Sequence, residues 1–146
     1  MLFASAWDHA NRPSRRGDDS PTVLLVGEAH CRAIFRSILS GRGYEIFDAS
    51  GPREALPLAR QLDPDLVMVD IGMAGACGWD AVRNFKSNAD TYLIPLLAVS
   101  LAPQPAGTYR RARSAGFVDY ISRPIERRHV LEVVSVWTRP PQRASN

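Results

Sequence analysis

Residues 65–82 read DLVMVDIGMAGACGWDAV, a short apolar run that ends on an acid and continues through a glycine-containing loop. The run 65–70 is nearly continuously apolar, which is typical of a parallel strand buried on both faces. After Gly78, the residues Trp79, Val82 and Phe85 recur at helical spacing. The stretch therefore predicts a strand–loop–helix unit with Asp70 at the carboxyl end of the strand.

The same unit recurs along the chain. Further strand patterns lie near residues 22–27, 44–48, 94–100 and 117–121, and each is followed by an amphipathic helix pattern. This alternation predicts an α/β fold in which a five-stranded parallel sheet is covered by helices on both faces. We expect the flavodoxin-like (βα)₅ arrangement with strand order 2-1-3-4-5 and the second strand at an edge. In that order the functional crevice lies at the carboxyl ends of strands 1 and 3.

Two of the helix patterns carry specific expectations. The first is expected to pack through an apolar stripe formed by Ala33, Ile34, Ile38 and Leu39. In the second, Ser50 is a possible N-cap, and Pro57 is expected to distort the helix because it removes a backbone donor.

Length and composition indicate one domain. The chain has 146 residues, of which 45% are hydrophobic and 23% charged, and we predict a domain over residues 21–138 between flexible tails at 1–20 and 139–146. No apolar run is long enough for a membrane span, and no signal peptide pattern precedes the domain. Cys31 and Cys77 form no disulfide framework, so we expect a reducing, cytoplasmic setting without membrane attachment.

Positive charge is concentrated in the last third of the chain. Residues 105–146 contain eight arginines and three acids, and Lys86 is the only lysine in the sequence. The fourth and fifth helix patterns carry the arginines Arg110, Arg111, Arg113, Arg127 and Arg128. A surface for an acidic protein partner and a simple solvated face are both open interpretations. Direct nucleic-acid binding is not expected, because no helix-turn-helix pattern and no interleaved aromatic residues accompany the arginines.

Polar residues follow four of the five strand patterns. Strand 1 ends at Gly27 and Glu28, strand 3 at Asp70, strand 4 at Ser100, and strand 5 runs into Arg123. The topology brings these ends together at one edge of the sheet. Two carboxylates, a hydroxyl and a cation in one crevice are suited to binding a phosphoryl group, with or without Mg²⁺.

These segments resemble the receiver domains of two-component response regulators, the CheY-like superfamily. The likeness covers about residues 21–138 and rests on TVLLVGEAH, DLVMVDIGMAGACGWDAV, IPLLAVS and AGFVDYISRPI. The motifs stand in the family's order, with gaps of 42, 30 and 23 residues from Glu28 through Asp70 and Ser100 to Arg123.

The resemblance assigns a role to each site residue. It implies that Asp70 is phosphorylated and that Glu28, Asp70 and the backbone carbonyl of Gly72 hold Mg²⁺. Ser100 and Tyr120 are implied as switch residues. Arg123 is implied to bind the phosphoryl group and to precede Pro124 in a cis peptide bond.

Several positions depart from the family pattern. Gly27 replaces an acid, and Arg123 replaces a lysine. The other departures are Ala74, Cys77 and Leu101, together with Pro103 and Pro105 in the loop after strand 4. We therefore expect a weakened Mg²⁺ site and a stiffer loop, because loss of an acid near the metal lowers affinity and proline restricts the backbone.

Two residues keep alternative interpretations. Glu28 is expected either to ligate Mg²⁺ or to cap the first helix, whose N-terminus favours an acid. Arg123 is suited to holding the carboxylate of Asp70 even without phosphate, although the general preference for arginine in this chain would explain it equally. Trp7, His30, Cys31 and Cys77 receive no role.

The predicted function is that of an atypical, stand-alone response regulator rather than an enzyme. We expect Asp70 to accept a phosphoryl group from a sensor histidine kinase or phosphotransfer protein. The output would be a protein contact, such as a homodimer or an acidic partner on the fourth helix, fifth strand and fifth helix. The alternative is a pseudo-receiver, an interaction module that works without phosphorylation. A flavodoxin-like enzyme or ligand binder is disfavoured, because GEAHCRA has only one glycine for a phosphate loop.

Overall fold

The computed structural model describes residues 20–73 and 77–138. Ala74, Trp7 and nearly all of both predicted tails therefore lie outside the described residues. Within the described ranges, strands and helices alternate strictly: β1 (Thr22–Val26), α1 (Ala29–Leu39), β2 (Glu45–Ala49), α2 (Pro52–Leu62), β3 (Leu66–Asp70), α3 (Cys77–Lys86), β4 (Leu96–Ser100), α4 (Thr108–Ala115), β5 (Asp119–Ser122) and α5 (Arg127–Trp137). None of the described helices has the length and apolar character that crossing a membrane requires.

The five strands form one parallel sheet in the order β2-β1-β3-β4-β5. This confirms the predicted flavodoxin-like fold, with β2 at an edge. In the register, Val26 of β1 lies beside Val69 of β3, and Asp70 lies beside Val99 of β4. The strand ends that follow these pairs, including Gly27 and Ser100, therefore lie at the same edge of the sheet.

Side chains alternate across the sheet and form two core layers. In β1, Leu24 and Val26 belong to the layer under α2, α3 and α4, and Val23 and Leu25 belong to the layer under α1 and α5. All residues of β1, β3 and β4 are buried, as expected for strands covered on both faces. These three central strands form the rigid base of the crevice.

The buried face of α1 differs from the predicted stripe. Its buried residues are Cys31, Phe35, Ile38 and Leu39, whereas Ala33 is exposed and Ile34 is only partly buried. The helix turns so that Phe35 enters the core, and the position one turn before Phe35 is Cys31. The prediction for Ala33 was therefore wrong, and Cys31 takes a core position at the start of the helix.

Helix α2 also begins differently from the prediction. Its N-cap is Gly51, and Ser50 instead donates to Glu54 Oε1 through both its backbone N–H (2.8 Å) and its Oγ (2.9 Å). Pro57 lies inside α2 without ending it. The proline removes one backbone donor, but the buried Ala55 and Ala59 keep the helix packed on the core.

Helix α3 packs directly onto the backbone at the end of β3. A Cβ at Gly78 would lie 2.6 Å from the carbonyl oxygen of Asp70 and 2.7 Å from Cα of Ile71. Glycine at this position therefore allows the helix to approach the peptide of Asp70.

Glycine-to-alanine changes inside helices usually raise the free energy of unfolding. Gly78→Ala should lower it instead, because the atoms that obstruct a Cβ at Gly78 are backbone atoms. We expect a loss of about 3 kcal/mol in the free energy of unfolding, the upper end of the range for overpacking. Gly51→Ala is the matched control, because a Cβ at Gly51 would have no other atom within 4 Å, and it should cost under about 1 kcal/mol. Urea unfolding measures both, and equal stability of the two variants would contradict the close approach.

Candidate functional site

The predicted crevice forms where β1, β3 and β4 end. Asp70, the last residue of β3, is only 6% exposed, and its Oδ1 accepts a hydrogen bond from the backbone N–H of Gly72 at 2.8 Å. Ser100, the last residue of β4, is fully buried. The acid and the hydroxyl thus lie at the same edge of the sheet, as the order of the strands requires.

Gly27 leaves room for Asp70 itself. A Cβ at Gly27 would lie 2.6 Å from Cβ of Asp70 and 3.2 Å from its Oδ2. On the other side, a Cβ at Gly72 would lie 3.3 Å from Asp70 Oδ1 and 3.1 Å from Ser100 Oγ. The carboxylate is therefore enclosed between two glycines, with Oδ2 towards Gly27 and Oδ1 towards Gly72. The missing acid at position 27 thus leaves space that the side chain of Asp70 occupies.

Glu28 occupies the N-cap position of α1 without capping it. Its backbone is extended, and its side chain forms no capping hydrogen bond with the helix. The residue is exposed. Of the two roles left open by the sequence, capping is therefore not formed, and the carboxylate is available at the rim of the crevice.

Cys31 is a neighbour of Asp70 that the sequence analysis did not identify. It lies in the first turn of α1 and is 5% exposed. Burial raises the pKa of its thiol to about 12, with further contributions from the charge of Asp70, a hydrogen bond to Asp70 and the charge of Glu28. The thiol of Cys31 therefore stays neutral beside Asp70. The charges of Glu28 and Asp70 both act on this thiol, so both carboxylates lie in its neighbourhood.

The hydroxyl of Ser100 is bound by the loop that follows it. Its Oγ donates to the carbonyl of Ala102 at 2.8 Å and accepts from the N–H of Ala102 and from Nε2 of Gln104, both at 3.2 Å. Tyr120 is half-buried, and burial raises the pKa of its phenol, while hydrogen bonds with Ser122 and Ser100 oppose that shift. Ser100 therefore lies close enough to Tyr120 to influence the pKa of its phenol.

Arg123 does not hold Asp70. Its side chain is exposed, and Nη1 donates to the carbonyl of Leu101 at 3.3 Å. Among the residues that the structure describes, Arg123 forms no ion pair with Asp70, so the expected clamp is absent. Enclosure of Asp70 between Gly27 and Gly72 explains this, because it leaves little carboxylate surface for a guanidinium group. The Arg123–Pro124 peptide bond is cis.

The donors fit Mg²⁺ in kind, though they are few. Glu28 and Asp70 offer carboxylate oxygens, and the resemblance adds the carbonyl of Gly72; these are the hard oxygen ligands that Mg²⁺ prefers. Within residues 20–73 and 77–138 no group of three or more His, Cys, Asp or Glu side chains is arranged to hold a metal. Two carboxylates are compatible with Mg²⁺, which usually retains several waters.

The arginines of α4 and α5 are not equivalent. The guanidinium of Arg111 lies 3.9 Å from the ring centroid of Trp79, whose ring packs edge-on against Phe117. Arg113 donates to the carbonyl of Val118 at 2.5 Å. The three others are exposed and form no hydrogen bond or ion pair with described residues: Arg110, Arg127 and Arg128. A basic surface for a partner would therefore consist of these three.

Comparisons with known proteins agree with the geometry. Residues 23–135 match the family model described as the response regulator receiver domain. The chain is 29% identical to protein PilH of Pseudomonas aeruginosa over 118 residues, which cover 81% of this chain and 90% of that protein. It is 33% identical to the polar-differentiation response regulator DivK of Brucella ovis over 114 residues, 77% of this chain and 92% of that protein.

Solved structures show the same architecture. A response regulator from Desulfuromonas acetoxidans superposes with a TM-score of 0.68 at 26% identity, covering 78% of this chain and 93% of that one. Chemotaxis protein CheY4 of Vibrio cholerae superposes with a TM-score of 0.70 at 21% identity, covering 80% and 98%. The second likeness bears on the fold alone.

Restoring the family's acid at position 27 should damage the site. We expect Gly27→Ala to lower the free energy of unfolding by about 2–3 kcal/mol, because its Cβ would overlap Cβ of Asp70. Gly27→Asp should lose at least as much, since it adds a second carboxylate beside Asp70. Gly72→Ala, whose Cβ comes closest to side-chain oxygens, should lose less than half as much as Gly27→Ala. Urea unfolding decides the order, and a Gly27→Asp variant as stable as the wild type would contradict it.

The thiol of Cys31 should be inert in the folded protein. At pH 8 we expect Ellman's reagent to modify Cys77 and spare Cys31, because a pKa of about 12 leaves almost no thiolate. Cys31→Ser should keep the fast-reacting thiol and Cys77→Ser should lose it, while urea exposes both in the wild type.

The same shift predicts that stability falls as pH rises from about 9 towards about 12, because Cys31 then ionises only in the unfolded chain. In the experiment with Ellman's reagent, two fast-reacting thiols in the native protein would contradict the buried placement of Cys31.

Proposed function

The chain belongs to the response regulator receiver domain family, and from this premise we propose that it is a phosphorylation-dependent regulator of a two-component system. Asp70 accepts the phosphoryl group from a sensor histidine kinase or a phosphotransfer protein. The observation that carries the proposal is the position of Asp70, which ends β3 at the edge where Glu28 and Ser100 also lie. In an open parallel sheet this edge is the ligand-binding edge.

The transfer exchanges one phosphorus bond for another. A carboxylate oxygen of Asp70 attacks the phosphorus of a phosphohistidine, the O–P bond forms, and the P–N bond breaks to leave neutral imidazole after protonation. The N–H of Gly72 holds Oδ1 at 2.8 Å and so fixes the carboxylate for attack. Mg²⁺ held by Glu28, Asp70 and the carbonyl of Gly72 would supply positive charge for the incoming phosphoryl oxygens.

Arg123 supplies further positive charge in this mechanism. Its contact with the carbonyl of Leu101 is long, at 3.3 Å, and exposed, so the side chain can exchange it for a phosphoryl oxygen. Arginine presents two parallel donors to such a group, where a lysine would present a single point charge.

Ser100 and Tyr120 report the phosphorylated state. A phosphoryl oxygen competes for the hydroxyl of Ser100, which then releases the carbonyl of Ala102, and Tyr120, whose phenol is influenced by Ser100, passes the change to β5. Pro103 and Pro105 restrict the intervening loop. The resulting movement is small, and the output is a protein contact, with a homodimer or an acidic partner at the surface of Arg110, Arg127 and Arg128.

A second candidate is the phosphorylation-independent pseudo-receiver. The observation that favours it is the enclosure of Asp70, which is 6% exposed, already hydrogen-bonded by Gly72 and adjacent to the neutral thiol of Cys31. In this alternative the fold and its surfaces act as an interaction module without chemistry at Asp70.

Intact-mass measurement separates the two candidates. We expect incubation with acetyl phosphate, or with a phosphorylated histidine kinase, in the presence of Mg²⁺ to add the mass of one phosphoryl group. Asp70→Asn should abolish the addition, and Asp80→Asn, which removes an exposed carboxylate on α3, should leave it unchanged. Absence of any mass increase with both donors would reject phosphorylation and leave the pseudo-receiver.

A further inference from the structure

Arg32 binds both carbonyls of the turn that ends β1. Its backbone N–H donates to the carbonyl of Glu28 at 3.0 Å and thereby begins α1. Its Nε donates to the carbonyl of Gly27 at 2.8 Å. One residue therefore fixes two successive peptides. One of them belongs to Gly27, which lies close to Asp70, and the other belongs to Glu28.

An acid on the edge strand holds Arg32 in place. Arg32 Nη1 lies 3.9 Å from Oδ1 of Asp48, and Arg36 contacts the other oxygen of Asp48 at 2.5 Å. Asp48 Oδ1 is buried and has no hydrogen bond among the described residues, so the charge of Arg32 at 3.9 Å helps to balance it alongside Arg36. The Arg32 side chain is 24% exposed, which limits its freedom to leave the turn.

The opposite side of Gly27 is fixed by the sheet. Its backbone N–H donates to the carbonyl of Ala49 in β2 at 3.1 Å. Gly27 has φ of +158°, on the positive side that glycine tolerates best. Gly27 lies so close to Asp70 that a Cβ at Gly27 would be only 2.6 Å from Cβ of Asp70. A rotation of the Gly27 peptide would therefore change its packing against Asp70.

From these contacts we propose that Arg32 is a positioning residue of the phosphoryl site. It holds the Gly27–Glu28 turn in the shape that lets Asp70 lie between Gly27 and Gly72. Arg32 touches neither Asp70 nor a phosphoryl group, and its effect passes through the turn. The part of the inference that concerns phosphoryl transfer rests on the proposed function, and the part that concerns the turn does not.

Arg36 provides a matched control. It lies one turn further along α1, shares Asp48 with Arg32 and carries the same charge, but its side chain bonds Asp48 rather than the carbonyl of Gly27. We expect Arg32→Gln to slow phosphorylation of Asp70 by acetyl phosphate and to weaken Mg²⁺ affinity, each about 10-fold, as is typical when a group that orients a ligand is lost. Arg36→Gln should change both by less than about two-fold. Arg32→Lys, which keeps one donor and the charge, should lie between wild type and Arg32→Gln.

Hydrogen exchange of the Gly27 amide tests the turn without any reaction. Measured by NMR relative to amides of β4, exchange at Gly27 should accelerate about 10-fold in Arg32→Gln and stay near wild type in Arg36→Gln. If Arg32 only contributed to stability, Arg32→Gln and Arg36→Gln should lower stability to a similar extent. The two variants would then show the same relative exchange at Gly27, the same Mg²⁺ affinity and the same phosphorylation rate.

The outcomes distinguish the two proposals. Equal behaviour of Arg32→Gln and Arg36→Gln in exchange and in phosphorylation would overturn the role of Arg32 and leave the proposed function intact. If the wild type accepts no phosphoryl group, the proposed function fails, and the relative exchange at Gly27 alone supports or overturns the positioning role.

Discussion

The packing of Asp70 against backbone is the constraint on which the rest of the site depends. Three segments approach the residue so closely that a Cβ on them would meet it or its peptide: the end of β1 at Gly27, the loop at Gly72 and the start of α3 at Gly78. At Gly78 the obstructing atoms are backbone atoms, which cannot move aside as flexible side chains do, whereas at Gly27 and Gly72 they are side-chain atoms, mainly of Asp70 and Ser100. The carboxylate of Asp70 is therefore packed against the main chain at Gly27 and Gly72.

This enclosure changes the charge balance of the crevice. Arg32 and Arg36 are engaged by Asp48 on the β2 side, and Arg123 lies on the loop after β5. Among the described residues no arginine lies within ion-pair distance of Asp70. The thiol of Cys31 beside it is neutral and does not compensate its charge. The carboxylates at the edge therefore retain negative charge that a cation would neutralise, which is the electrostatic condition for the proposed Mg²⁺ site.

Strand order and the convergence of Asp70 with Ser100 were predictable from the sequence, because buried parallel strands have a distinctive apolar pattern and the βα alternation limits the topology. Contacts of individual side chains were not. Cys31 was missed because the buried stripe of α1 was assigned to Ala33 and Ile34, and its true phase is set by Phe35 in the core. The expected clamp by Arg123 failed because strand order places a residue at an edge without fixing the direction of a long side chain. Arg32 escaped notice because its partner at Gly27 is a backbone carbonyl, and such contacts leave no sequence pattern.

The hydrogen bonds around Ser100 would oppose the conformational shift that the proposed phosphorylation requires. Its hydroxyl takes part in three hydrogen bonds with its own loop, and a neutral hydrogen bond contributes roughly 0.5–1.5 kcal/mol net. Breaking these three bonds would cost a few kcal/mol and would oppose the change of conformation. Near-complete conversion between two states requires about 5.5 kcal/mol of differential stabilisation. The two prolines of this loop further restrict the backbone conformations that it can adopt. These bonds would therefore add to the stabilisation that a phosphoryl group at Asp70, together with a partner that prefers the active form, has to supply. By reciprocity, such a partner would favour phosphorylation by the same factor that phosphorylation favours its binding.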